Sequence, residues 1–250
     1  ALAACIGIAD PAGGWQVVFY VGGIVPLLIV PMLGLYLPES ALFSSIKDAA
    51  PVSVAQGLFR EGAALPTAMI WVSFFFTLMV VYILINWLPS LLIGQGFSGR
   101  QASWVMLALQ IGAATGTLLL GWVMDRLPAW ALSALIYLGI LASLTALGLA
   151  SQLQSMLVAG FVAGFFATGG QCVLYALAPH FYRPSVRATG VGCAVAIGRL
   201  GAMSGPLVAG KMLALGTGTA GVMLASAPGI VIAALAMFYL SVRRNDSQAD

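Results

Sequence analysis

Arg199 stands inside an apolar run from about Ala188 to Met212, twelve residues after Arg187. If that run is a membrane helix, the guanidinium lies near the bilayer midplane, where a charge costs about 2.5–3.5 kcal/mol on insertion scales. Such a group persists only by facing a protein interior or a wet cavity. Its helical face is expected to carry Gly192, Ala196, Ala202 and Met203, mostly small residues that leave room beside the guanidinium. Two readings stand. Arg199 is a structural cation paired to a carboxylate or to helix carbonyls, or it receives the carboxylate of a substrate, for which arginine offers a bidentate fork. No Asp or Glu falls inside any of the long apolar stretches, so a carboxylate partner has to come from elsewhere.

Other polar side chains sit at similar depth. Gln171 and Tyr175 are four residues apart, hence on one helical face, with Thr168 beside them. In lipid a glutamine needs a partner or a cavity. Either these residues bond to a neighbouring helix, or they form a donor and acceptor set for a phenolic hydroxyl, and Gln110 divides the same way. Tyr82 and Asn86 share another face, where Tyr82 is suited to stacking on an aromatic ring. Trp87 reads as an interface anchor, and Pro89 is expected to disrupt its helix. Asp125 and Arg126 read as a structural and gating loop. His180 falls in a loop.

The elements that hold these residues follow from composition. Hydrophobic residues make up 61% of the 250 and charged residues 7%, against about a quarter charged in a soluble domain. Mean hydropathy is +1.04. The chain is therefore expected to be an all-α membrane protein; alternation with period two, the mark of a membrane β-barrel, is absent. A bilayer core needs roughly 20 apolar residues in a helix. Stretches of that kind run at about Trp15–Leu37, Leu65–Ile93, Ala102–Met124, Ala131–Ala150, Ser155–Ala178, Ala188–Met212 and Thr219–Val242, and Ala1–Ala9 reads as the tail of one more. The chain starts inside an apolar stretch, with its first Met at Met32, so its natural N-terminus is expected upstream.

One connection is long. Residues 38–64 carry Glu39, Lys47, Asp48, Arg60 and Glu61 and read as a cytoplasmic linker between residues 1–37, the end of one helical bundle, and residues 65–242, a six-helix bundle. A cytoplasmic tail, residues 243–250, follows. With the linker inside, Lys47, Arg60, Arg126, Arg183, Arg187, Arg243 and Arg244 all fall on the cytoplasmic side, and only Arg100 and Lys211 fall outside, as the positive-inside rule expects. The net charge of +3 follows from that excess and suggests no nucleic-acid partner.

Thirty glycines include the pairs Gly112 and Gly116, Gly160 and Gly164, and Gly201 and Gly205. Small residues at this spacing let membrane helices approach closely; smooth surfaces of this kind also suit one helix gliding past another. Enzyme chemistry finds little support. Ser204 in Gly201-Ala202-Met203-Ser204-Gly205 lacks the spacing of a membrane serine protease, and no metal-binding motif or carboxylate pair falls in the spans. Lys211 lies at a helix end rather than mid-span, as a retinal receptor would need. Cys5, Cys172 and Cys193 read as small buried hydrophobes. No metal or cofactor is expected.

Gly121-Trp122-Val123-Met124-Asp125-Arg126 resembles the second copy of the G-x-x-x-D-[RK] loop motif of the major facilitator superfamily. Ala178-Pro179-His180-Phe181-Tyr182, followed by Arg187-Ala188-Thr189-Gly190, resembles that family's pattern of a helix ending in Pro and Tyr before an Arg that opens the next. Three blocks, Phe75 to Pro89, Gly164 to Pro179 and Arg187 to Pro206, are similar to the aromatic acid:proton symporters within it. The resemblance implies the end of helix five, helix six and helices seven to twelve of a twelve-helix fold, in the cytoplasmic membrane. It implies a carrier of an aromatic carboxylate and protons, working by alternating access between two six-helix halves, the other of which would lie upstream. It matches Gly121, Asp125 and Arg126 to a gating motif, and Arg187 and Arg199 to arginines associated with transport. Arg187, at a helix entry, suits a lipid-facing charge. Proton coupling is implied by the resemblance alone, through an acidic motif on helix one. A carrier of another organic anion, a sugar or a drug is the alternative; a midplane arginine favours an anion.

Overall fold

The computed structural model describes residues 14–36, 58–59, 63–184 and 186–249. Its contacts divide the chain into two units, Ala1–Pro51 and Val52–Asp250. The expected helix tail at Ala1–Ala9, Cys5 and the charged linker residues Glu39, Lys47, Asp48, Arg60 and Glu61 lie outside the described residues. In the first unit, helix α1 spans Gly14–Tyr36, close to the expected stretch. Tyr20, Leu27, Leu28, Val30 and Leu35 stand exposed along it, an apolar surface suited to lipid or to another helix.

The second unit is built from α2 (Ala64–Gly94), α3 (Gly99–Met124), α4 (Ala129–Leu149), α5 (Leu153–Ala163), α6 (Gly169–Leu177), α7 (Arg187–Ala214) and α8 (Gly218–Ala249). Helices α5 and α6 form one span, Leu153–Phe181, so that among the described residues six helical rods are long and apolar enough to cross a membrane. Short connections make successive spans alternate in direction. One end of the bundle therefore carries Arg126, Arg183, Arg187 and Arg243, and the other carries Arg100 and Lys211.

Several boundaries differ from expectation for local reasons. Helix α3 begins at Gly99 rather than Ala102, because Ser98 and Gln101 close a reciprocal capping box over a polar first turn. Gly96, at φ 95°, turns the chain just before it. Pro89 does not end α2: the helix runs on to Gly94, the single lost backbone bond being tolerable in a membrane helix. Helix α8 continues past Val242 through most of the expected tail to Ala249, a stretch without Gly or Pro to stop it. The span that was expected to be regular from Ser155 to Ala178 is interrupted by a π-helical turn over Gly164–Thr168, and its last turn, Ala178–Phe181, tightens to a 3-10 helix around Pro179.

Helix α2 is central, with Phe74, Leu78, Ile83, Leu84 and Leu88 fully buried and with α7 and α8 against it. Glycines set how close the rods come. A Cβ on Gly201 would collide with the carbonyl of Phe75 on α2, and one on Gly112, Gly116 or Gly164 would collide with the main chain across the seam between α3 and the α5–α6 span. The small-residue pairs seen in the sequence are thus backbone-to-backbone seams.

Buried hydroxyls tie the rods further. Ser73 donates to the Ala233 carbonyl at 3.3 Å, Thr77 and Tyr137 share a bond of 3.2 Å, and Ser133 and Ser241 one of 3.3 Å. Polar pairs of this kind hold membrane helices where lipid offers no competing partner. The cysteines depart from the buried reading: Cys172 is exposed and Cys193 half-buried, and Cys172 accepts a weak bond from Thr117 at 3.6 Å.

At the arginine-rich end, Leu58 is buried and its carbonyl accepts from Thr67 Oγ1 at 3.0 Å, while Phe59 meets Trp71 edge-on at 5.8 Å. The Tyr182 hydroxyl and Trp71 Nε1 are buried without a hydrogen-bond partner among the described residues; Thr67 and Trp71 neighbour that hydroxyl but fall short of bonding geometry.

Candidate functional site

Packing between α7 and α2 positions the arginine. Gly198, Gly201 and Gly205 lie along the seam, with Gly198 over Phe74 and Leu78, Gly201 over Phe75 and Gly205 over Met79. This close approach delivers the next residue on α7, Arg199, to the α2 side chain one turn further along. Arg199 Nη1 donates to the Tyr82 hydroxyl oxygen at 2.5 Å. Arg199 is exposed and Tyr82 half-buried, and Gly192, Ala196 and Met203 are exposed on the same face of α7. Ala202 is not: it is buried, because it turns into the bundle. Neither partner expected for a structural arginine is found among the described residues. The guanidinium meets a neutral phenol, which satisfies one donor and none of the charge.

Tyr82 is left with chemistry to spare. Its oxygen accepts from Arg199, so its own proton is free to be donated to a third group. Asn86, one turn on and exposed, donates Nδ2 to the Tyr82 main-chain carbonyl at 2.9 Å. The amide is thereby held on its own helix.

Tyr175 on α6 is half-buried and meets Phe74 edge-on, with centroids 5.1 Å apart. Phe74 also underlies Gly198, so one buried ring touches both the residue beside Arg199 and the Tyr175 ring. The sequence reading passed over Phe74; the run Phe74-Phe75-Phe76 was its only signal. Gln171 is half-buried one turn before Tyr175 and makes no side-chain hydrogen bond among the described residues. Gln110, on α3, is exposed and also makes none, and no contact brings it to Arg199.

The loop-motif residues stand apart from this group. Asp125 caps the end of α3 and is exposed, as is Arg187 at the start of α7. Gly121 has open space where a side chain would be. Arg126 stacks its guanidinium over the Trp122 ring at 3.7 Å, a cation–π contact rather than an ion pair. His180 lies in the 3-10 turn, exposed, with Nδ1 at 3.1 Å from the Ala176 carbonyl. Among the described residues no group of His, Cys, Asp and Glu could hold a metal ion.

A bundle of alternating spans, with an arginine halfway along one of them that no described carboxylate neutralises, is the architecture of a multi-pass membrane protein with a polar site at depth. The family model described as Major Facilitator Superfamily matches residues 2–153 and again 70–250, and the chain belongs to that superfamily. It is 61% identical over 248 residues to the 3-(3-hydroxy-phenyl)propionate transporter of Escherichia coli (strain K12), a match covering 99% of this chain and 61% of that protein. It is 35% identical to the gallate transporter of Pseudomonas putida over 83% of this chain and 53% of that protein. It is 31% identical to a 4-hydroxybenzoate transporter of Pseudomonas putida over 96% of this chain and 60% of that protein. The chain thus spans between half and two thirds of the length of these relatives.

Proposed function

We propose that the full-length protein takes up an aromatic carboxylic acid, such as 3-(3-hydroxyphenyl)propionate, with protons across the bacterial cytoplasmic membrane by alternating access. The observation that carries this reading is Arg199: a cation midway along a span, on an open face, whose partner is a neutral hydroxyl. A substrate carboxylate supplies the charge that the site lacks. It would accept from the guanidinium and from the Tyr82 proton together, a charge-assisted pairing worth about 1.5–3 kcal/mol per bond. Tyr175, held against Phe74, gives a ring for the aromatic part, and Gln171 gives donors and an acceptor for a ring hydroxyl. The names of the three relatives above support the substrate class, each naming a hydroxylated aromatic acid.

In this reading the open face of α7 and α2 is one wall of a cavity whose other wall is a second six-helix half. The arginine-rich end faces the cytoplasm. Gly121, Asp125, Arg126 and Arg187 serve the gate at that end, where the Trp122 stack holds Arg126 in place. Among the described residues no span holds a carboxylate, so the proton step is assigned to a group beyond them.

Replacement of Arg199 tests the site. Arg199→Ala is expected to abolish uptake while membrane abundance stays normal, since removing a midplane charge lowers the insertion cost. Arg199→Lys is expected to restore uptake in part, keeping the charge without the planar fork. Normal abundance together with unchanged affinity for the aromatic acid in Arg199→Ala would overturn the assignment.

A further inference from the structure

Two grooves on the outer surface of the bundle, one near each end, differ in charge. The groove at the Arg100 and Lys211 end lies between α4 and α5, has a volume of 840 Å³, and includes Ser151, Gln152, Gln154 and Ser155 in its lining, with no Lys or Arg. The groove at the arginine-rich end lies between α2 and α8 and has a volume of 670 Å³. Ala68, Met69 and Val72 form one wall, and Leu235, Ala236 and Tyr239 belong to the other. Its only polar side-chain atom is the hydroxyl of Tyr239.

A cation stands over the second groove. Arg243, one turn beyond Tyr239 and exposed, holds its guanidinium 5.3 Å from the centre of the Tyr239 ring. Arg244 follows it in sequence, and the first acid, Asp246, comes about 4.5 Å further along the helix axis. Phe238, also in the lining, is met edge-on by Trp130 of α4 at 6.3 Å. Aromatic side chains with a snorkelling arginine mark the depth at which lipid headgroups lie. The groove thus runs into the hydrocarbon layer from a mouth at headgroup level.

We propose that this groove seats an anionic phospholipid, with an acyl chain between α2 and α8 and its phosphate beside Arg243. The apolar walls fit a hydrocarbon chain, and the guanidinium fits a phosphodiester. The groove at the other end offers more space but only neutral polar groups, so it gives an anionic headgroup no advantage. This seat is separate from Arg199, and its failure would leave the transport reading untouched.

Native mass spectrometry of the delipidated full-length protein tests the seat, using phosphatidylglycerol and phosphatidylethanolamine with identical acyl chains. The expected result is at least fivefold tighter binding of phosphatidylglycerol, since each surface cation supplies about fivefold. Arg243→Gln should reduce that preference, and Arg243→Gln with Arg244→Gln should bring the two lipids to parity. Ala68→Phe, at an exposed position in the groove, should lower occupancy by both. Soluble glycerol phosphate should fail to compete. Equal binding of the two lipids by the unaltered protein would overturn the proposal, as would a preference that survives the double arginine replacement. Undiminished binding in Ala68→Phe, or displacement by glycerol phosphate, would likewise overturn it by showing that the phosphate is held without the groove.

Discussion

The Arg199 guanidinium and the Tyr82 hydroxyl, 117 residues apart in sequence, meet at 2.5 Å across a seam that three glycines keep narrow. The contact has a direction, donor on α7 and acceptor on α2, and it leaves the phenol proton available. Tyr82→Phe should therefore weaken binding of the aromatic acid by about tenfold or more, the cost of one charge-assisted hydrogen bond of roughly 1.5–3 kcal/mol. Membrane abundance should not change. Equilibrium binding of labelled substrate to the purified full-length protein measures this. Unaltered affinity would show that Tyr82 orients Arg199 without touching the carboxylate.

The glycine seams predict a sharp contrast among substitutions of one type. Gly201→Ala and Gly164→Ala place a methyl group against main-chain atoms that cannot move aside, and each should cost at least the 1–3 kcal/mol of an overpacked core. Gly192→Ala and Gly121→Ala meet nothing within 4 Å and should be neutral. Thermal unfolding in detergent, with folded yield from membranes, separates the two groups.

Much of this was legible beforehand, and the reasons are physical. Spans of 20 or more apolar residues have only one use, so all six appeared within a few residues of their ends. Boundaries slipped where polar residues belong to a helix, as in the capped first turn of α3, because charge and amide groups read as loop. The Gly-x-x-x-Gly spacing exposed the seams because helix geometry leaves little else for such pairs to do. Which polar side chains meet was another matter. Tyr82 and Arg199 lie on different helices, and nothing in either local pattern pairs them. Trp122 was overlooked as a partner of Arg126 although the two are one turn apart, because the motif drew attention to Asp125.

Orientation is open to a chemical test. Single cysteines at Pro128 and at Arg243 should react with a membrane-impermeant maleimide only from the cytoplasmic side. A cysteine at Gly99, the first residue of α3, should react from outside. Labelling of Gly99 and Pro128 positions from the same face would contradict the alternation of α2, α3 and α4.

Tyr182, just beyond the end of a span, is buried and carries the ring against which Gly190 packs. Burial raises its pKa above the ordinary phenol value, so folding favours the neutral form. That contribution is complete below the unfolded value of about 10 and is lost as pH rises through the higher folded value. Tyr182→Phe should keep stability within about 1 kcal/mol at neutral pH, because the hydroxyl has no bonding partner among the described residues. It should also flatten the alkaline decline in melting temperature. Tyr182→Ala should cost about 3–5 kcal/mol through the cavity it opens.

The π-helical turn at Gly164–Thr168 sets where Gln171 and Tyr175 point. A π turn holds one residue more than the α-helix it interrupts, and each residue of an α-helix advances about 100° around the axis. Everything from Gly169 to Leu177 is therefore rotated by roughly that angle relative to a regular continuation of α5. Deleting a single residue from this turn would alter no contacting side chain of α6. It would nonetheless swing Gln171 and Tyr175 a quarter of a circle away, separating Tyr175 from Phe74 while leaving Arg199 and Tyr82 in place. The two halves of the candidate site thus have independent angular settings, and the second is fixed by the number of residues in the turn rather than by their chemistry.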